Sequence, residues 1–405
     1  MQSLPEIKPQ RLAVKLRPAA EKAVRQAHPW VFESGIAKVN KEGKAGDLAI
    51  IFDQKKNKFL ALGLYDPHSP IRIKILVSGK SATLNEAWFE EKITTAYDKR
   101  KPLLATDTNS YRLIYGENDG LPGFIADVYD NVLVVKLYSA VWLPFLSMIF
   151  PFLLQITKCN TLVLRLSRLL QNLPKEMHTL EDGQVLHGTL ENEEVIFREH
   201  GLRFSANVIH GHKTGYFLDH RHNRKRVGSL SKDKTVLDIF AYAGGFSVHA
   251  LAGGAKEVTS LDISAQALGM AEKNVALNDL KANHRTMAVD AFVGLAELAK
   301  EGKKFDLIVL DPPSFAKRES ERERAMESYS RLIKAALPIL EKGGILLSCS
   351  CSSRVKAEEF FAINERVLMQ AGKQFEELDR TFHDVDHPIG FAEGAYLKSV
   401  YYRVR

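Results

Sequence analysis

Cysteine is scarce. Three cysteines in 405 residues cannot build a disulfide framework, which points to a reducing compartment. The opening stretch MQSLPEIKPQ has none of the apolar core of a signal peptide, so a cytoplasmic location is expected. Long uncharged runs are nearly missing too. The exception, residues 137–157, spans 21 positions but contains Pro144, Pro151, Ser139, Ser147, Tyr138 and Gln155. A spanning helix needs about 20 predominantly apolar residues, and each proline removes a rung of its hydrogen-bond ladder. The run therefore reads as a buried strand followed by a buried helix, with no membrane partner. Internal repeats, low-complexity tracts and a complete G-x-G-x-x-G loop are absent as well.

What is there is ordinary globular material: 45% hydrophobic and 26% charged residues, which excludes disordered and collagen-like chains. At about 150 residues per domain the length implies two or three domains. The charge is unevenly placed. Residues 1–80 hold 15 Lys and Arg against 7 Asp and Glu, and the remainder holds 41 against 42. All of the net +7 therefore sits in the N-terminal fifth, where it would attract a polyanion.

Short apolar runs with turn residues between them make residues 1–78 a small β-rich module. A helical pattern from Leu84 to about Leu104, then the runs GFIADVY and NVLVVKLY, indicate an α+β middle region over 79–190. The acidic stretch LEDGQVLHGTLENEE reads as a loop before a third domain, 191–405. There, TVLDIF, EVTSLDI, FDLIVLD and GGILLSC alternate with amphipathic segments. That pattern predicts an α/β, Rossmann-like parallel sheet whose chemistry lies at the strands' carboxyl ends.

The first strand ends in Asp238, followed by a turn with Gly244 and Gly245; the second ends at Asp262, with Ser264 as helix N-cap. A carboxylate after the second strand suits two ribose hydroxyls. One at the first turn repels phosphate and favours an amino group. Together they describe a nucleoside without phosphates and with a cationic arm, which is S-adenosylmethionine. Asp290 suits either an adenine edge or a helix cap. Asp311-Pro312-Pro313 fixes a rigid, extended loop with a carboxylate at its mouth. Cys349 and Cys351 lie two apart at the next strand end, open to two readings: a nucleophile activated by a helix N-terminus, or inert buried thiols. Cys159 reads as core. His210, His212, His220 and His222, interleaved with Lys213, Arg221, Arg224 and Arg226, suit a basic loop meeting a phosphate backbone or a carboxylate better than zinc, and no metal is expected.

In order and spacing, several stretches resemble the PUA-domain class I methyltransferases, a family that includes the large-subunit rRNA cytosine-5 methyltransferases. They are His28-Pro-Trp-Val-Phe32, Tyr111 to Gly123 (YRLIYGENDGLPG), Gly211 to Asp219 (GHKTGYFLD), Asp238 to Phe246, Asp311-Pro-Pro313 and Ser350-Cys-Ser352. The resemblance implies an RNA-binding PUA domain, an α+β middle domain and a seven-stranded methyltransferase domain closed by a hairpin strand within 396–404. It places the nucleophile at Cys351 rather than Cys349. Asp311 would stabilise the adduct, and the cofactor would be held by Phe217, Arg221, Asp238, Phe240, Tyr242, Gly244, Asp262, Ser264 and Asp290. The expected partner is RNA, above all large-subunit rRNA, and the resemblance leaves room for a homodimer. Two departures bear on the target base: His220-Arg221 stands where the family usually has Gln-Arg, and Ser314 follows the two prolines.

The implied chemistry is addition of the Cys351 thiolate to cytosine C6, methylation at C5, and loss of the C5 proton. Glu393 and His387, in one loop, are candidates for the base; Tyr242, Phe217 and Phe315 for stacking. A guanine methyltransferase on the same fold would need no thiol. A non-catalytic RNA-binding assembly factor would bind no cofactor, and a small-molecule methyltransferase would not need the basic N-terminal block.

Overall fold

A computed structural model describes residues 4–280 and 283–405. It contains two compact units. The first runs through Glu199 and adds Ser205–Leu218 and Val385–Phe391; the second comprises His200–Phe204, Asp219–Asp384 and Ala392–Arg405. The border read near residue 190 thus falls inside the first unit.

Two larger sheets lie in the first unit. A six-stranded one takes the order Trp30–Phe32, Ile71–Ser78, Phe59–Tyr65, Leu48–Phe52, Arg11–Leu16, Ile36–Val39. Alternation places Leu12, Val14 and Leu16 in its core with Ala49, Ile51 and Ile73, as one buried face requires. A five-stranded sheet follows in the order Gln184–His187, Thr161–Leu166, Val132–Leu137, Phe124–Tyr129, Ser110–Tyr115. Its first strand lies in the acidic stretch read from sequence as a loop, and pairs antiparallel with Thr161–Leu166. Helix Glu86–Leu104 packs on this sheet, opened by Asn85, whose side chain accepts from the Trp88 amide.

The uncharged run folds differently from its expected strand and helix. Only Leu137 belongs to a strand; Ala140–Phe145 form a 3-10 turn and Leu146–Thr157 an α-helix that continues through Pro151. Ala140–Thr157 is long and apolar enough to cross a membrane, yet Trp142, Phe145, Leu146, Ile149, Phe150 and Leu153 lie in the core of this unit. Burial of an apolar face stabilises the helix despite the lost rung at Pro151.

The second unit is built on seven strands: β1 (Thr235–Ile239), β2 (Glu257–Asp262), β3 (Asn283–Ala288), β4 (Phe305–Leu310), β5 (Leu340–Ser350), β6 (Phe375–Thr381) and β7 (Lys398–Val404). Their order is β3-β2-β1-β4-β5-β7-β6. Strands β1 to β5 are parallel, and β7 runs antiparallel to both β5 and β6. The inner strands are continuous buried runs, Val236 to Ile239 and Leu307 to Leu310, as a sheet covered on both faces demands. Order reverses between β1 and β4, so the ends of β1, β2, β4 and β5 converge on one crevice.

Candidate active site

The turn after β1 is held by backbone contacts. Phe240 and Tyr242 have positive φ (65° and 48°), as does Gly244 (72°); such strain in two aromatic residues persists only where surroundings over-determine it. A Cβ at Gly244 would lie 2.7 Å from Ala271 Cβ, so glycine lets the helix Ala265–Ala276 approach the turn. Asp238 is 1% exposed. Its Oδ2 accepts from Ser247 N (3.1 Å) and Oγ (2.7 Å), while Oδ1 is buried with no partner. Burial pushes its carboxyl up to about 7, with the Ser247 hydroxyl pulling the other way. Asp262 accepts from Tyr242 N and Ser264 N, both at 2.9 Å. Ser264 caps its helix by accepting from Ala267 N at 3.2 Å. Asp290 does the same for helix Ala291–Lys300, its Oδ1 taking Phe292 N and Val293 N.

The other half of the crevice is ionisable throughout. His220 Nε2 lies 3.2 Å from Asp311 Oδ1, and with Cys349 Sγ they bring three such atoms within 4.8 Å of one another. Burial lowers the His220 pKa, but the adjacent Asp311 carboxylate outweighs it and the net direction is up. Cys351 is partly exposed, whereas Cys349 is wholly buried. The flanking serines pin the Cys351 loop: Ser350 Oγ lies 2.9 Å from Tyr329 Oη, and Ser352 Oγ donates to Ala316 O at 3.2 Å. Burial pushes the Cys351 thiol up to about 12; the Asp311 and Asp219 carboxylates add to this and Lys398 opposes it. The expected activation by a helix N-terminus is therefore overturned. The next helix begins only at Ala357, and burial plus negative charge dominate.

Lys398 was missed from sequence. It is 1% exposed in β7, donates to the carbonyls of Ser352 and Tyr396, and burial lowers its pKa to about 8, against the pull of Cys351. A lysine opening the terminal strand, just ahead of the run Val400-Tyr401-Tyr402, was the available signal.

Other expected residues lie elsewhere. Phe217 belongs to the first unit and is 39% exposed. Arg221 is buried with Nη1 3.2 Å from Asp384 Oδ2. The basic loop is instead a helix, Arg221–Leu230, with Arg221 and Arg224 inside; the four histidines divide between the units. His387 is buried, its ring 2.8 Å from Asp386 Oδ1, which removes it as a mobile base, whereas Glu393 is exposed. Phe315 packs on Tyr329, centroids 4.9 Å apart.

Two family models match. That for S-adenosylmethionine-dependent methyltransferases covers residues 119–395, and that for PUA-like domains residues 14–78. Among curated proteins, the chain is 44% identical to a ribosomal RNA large subunit methyltransferase of Deinococcus radiodurans, over 98% of this chain and 99% of that one. It is 35% identical to ribosomal RNA large subunit methyltransferase I of Alteromonas mediterranea, over 96% and 97%. Its fold matches a SAM-dependent methyltransferase from Streptococcus mutans at TM-score 0.80 (21% identity, 96% of this chain and 99% of that one). A methyltransferase solved with SAH matches at TM-score 0.82 (22% identity, 97% and 100%).

Proposed function

The chain belongs to the S-adenosylmethionine-dependent methyltransferase family, and we propose that it methylates C5 of a cytosine in large-subunit ribosomal RNA through a covalent adduct on Cys351. S-adenosylmethionine is its cofactor, and the residues present fit it. The unpartnered Asp238 Oδ1 is a buried acceptor for an ammonium group. Asp262, held by two backbone amides, would take the ribose hydroxyls. The turn from Phe240 to Gly244, with the Tyr242 ring and the caps Ser264 and Asp290, would close around the nucleoside. When bound, the cofactor supplies an electrophilic methyl group.

Cytosine C5 is a weak nucleophile, so the chain's own work is to activate the ring. Cys351 gives up its proton, its sulfur bonds to C6, and the electron pair of the C5–C6 bond shifts toward C5. Asp311 stabilises the adduct at ring N3 by hydrogen bonding. Once C5 carries the methyl group, loss of its remaining proton returns an electron pair to the ring and the C6–S bond breaks. Lys398, with a pKa near 8, is mostly protonated at neutral pH, so its charge favours the Cys351 thiolate while the thiol proton passes to solvent. The target base must come from a single-stranded loop or be flipped out of a helix. The basic block in residues 1–80 supports an RNA grip. A homodimer has no support in the comparisons and plays no part here.

The observation that carries the reading is the partly exposed Cys351 thiol, on a loop pinned by Ser350 and Ser352, between Asp311 and Lys398. The test is transfer of labelled methyl to rRNA with nucleoside analysis. Label is expected in 5-methylcytidine and absent with Cys351→Ala; label in guanosine, indifferent to that substitution, would discard the thiol mechanism.

A further inference from the structure

His220 lies outside the machinery described so far, yet its side chain is 7% exposed and faces the crevice. A hydrogen-bond chain sets its ring. Asn223 Oδ1 accepts from Thr381 Oγ1 (2.7 Å) and Tyr401 Oη (2.9 Å). Its Nδ2 is thereby turned toward Ser399 Oγ (3.3 Å) and His220 Nδ1 (3.1 Å). In the neutral ring Nδ1 accepts and Nε2 carries the hydrogen beside Asp311 Oδ1 at 3.2 Å. Because the other side-chain partners of Asn223 are hydroxyls, which donate or accept, its amide can turn over and accept from Nδ1 when the ring is protonated. The Phe246 ring, 5.5 Å away by centroids, packs against the imidazole.

We propose that His220 is a positioning residue: it orients Asp311, balances its charge, and so governs how readily the Cys351 thiol gives up its proton. The inference rests on the reading of Cys351 as nucleophile. His220 is faced by Asp311 after β4, Asp219 beside it, Arg224 and His222 on the helix that it precedes, and Cys349 in β5. Cys351 is faced by Asp311, Asp219, Lys398 in β7 and Tyr329. Among these, the two carboxylates hold the thiol protonated. A cationic imidazole on Asp311 Oδ1 offsets one of them; a neutral imidazole does not. Two such sites titrate as a coupled pair.

This coupling has a signature that a merely structural histidine lacks. Alkylation of Cys351 by iodoacetamide follows the thiolate fraction. Its rate constant is measured by peptide mass spectrometry from about pH 5.5 to about pH 9.5 on the full chain, with Cys351→Ser as blank. In the wild type, the logarithm of the rate should flatten as His220 loses its proton, then regain unit slope. His220→Gln keeps an amide donor for Asp311 but cannot titrate, so its profile should rise without the break. It should run about three- to tenfold slower below the break and coincide with the wild type above it. Asp311→Asn, which removes the link, should also lose the break. A break that persists in His220→Gln, or superimposed profiles, would overturn the proposal. Methyl transfer separates the two readings. If Cys351→Ala still transfers methyl, the nucleophile assignment fails even with the break present. If transfer needs Cys351 but the break is missing, only the role of His220 fails.

Discussion

At the ends of β1 and β2, Asp238 and Asp262 are held by backbone amides and one hydroxyl, from the turn and helix start after each strand and, for Asp262, also from Tyr242 in the turn after β1. At the ends of β4 and β5, Asp311 and Cys351 are surrounded by Asp219 and His220, by Cys349 and by Lys398, which arrive from three separate stretches. In the first half neutral donors surround the carboxylates, and Asp238 keeps a buried oxygen without a partner. Such an arrangement waits for a cation. In the second half every ionisable group has an ionisable neighbour, so a proton leaving one is felt by the others. One sheet thus carries a binding half built on backbone geometry and a reacting half built on coupled side chains.

Cys351→Ala separates the halves most sharply. Methyl transfer should fall on the order of 10⁴-fold while cofactor affinity, measured by calorimetry, stays within about twofold; a parallel loss of both would erase the division. Gly244→Val attacks the backbone side. With φ at 72° and Ala271 Cβ 2.7 Å from the added carbon, it should cost roughly 2–4 kcal/mol of stability in urea unfolding. Asp238→Asn should weaken the cofactor about 10- to 100-fold and leave the Cys351 alkylation profile in place.

The same carboxylate predicts a pH dependence. Its folded pKa, about 7, lies above the ordinary aspartate value of 3.8. In the free protein its contribution to stability is therefore present at low pH and lost as pH rises through about 7. An ammonium group needs the ionised form, so cofactor affinity should drop as pH falls below about 7, approaching tenfold per pH unit, and calorimetry in two buffers should register proton release. The smallest effect belongs to Ser264→Ala, which removes a single cap bond and should cost about 1 kcal/mol in unfolding experiments.

Asp238, Gly244, Asp262, Ser264 and Asp290 were all found in the chain order, because strand ends, tight turns and helix caps are local and leave local signatures. The alternation of the catalytic sheet was legible for the same reason. The pairing of His220, noticed only as part of a basic loop and a motif departure, with Asp311 was not, nor was Lys398, since they meet Asp311 and Cys351 only after β4, β5 and β7 pair, across separations of 91 and 47 residues. The buried arginines of helix Arg221–Leu230 were misread as a basic loop: the count of charges was visible, but their partners, Asp384 for one, lie far along the chain. The strand Gln184–His187 was hidden in an acidic stretch because it needs Thr161–Leu166 to pair with.

By itself, the sequence determined the class of sheet, the carboxylates at its strand ends, the candidate thiol and the uneven charge. Periodicity, caps and turns depend only on near neighbours. Tertiary structure decided the electrostatics: which carboxylate keeps a free oxygen, which thiol is reachable, and which way each proton is pulled. Those outcomes depend on burial and on charges brought together from distant segments. No local pattern encodes them.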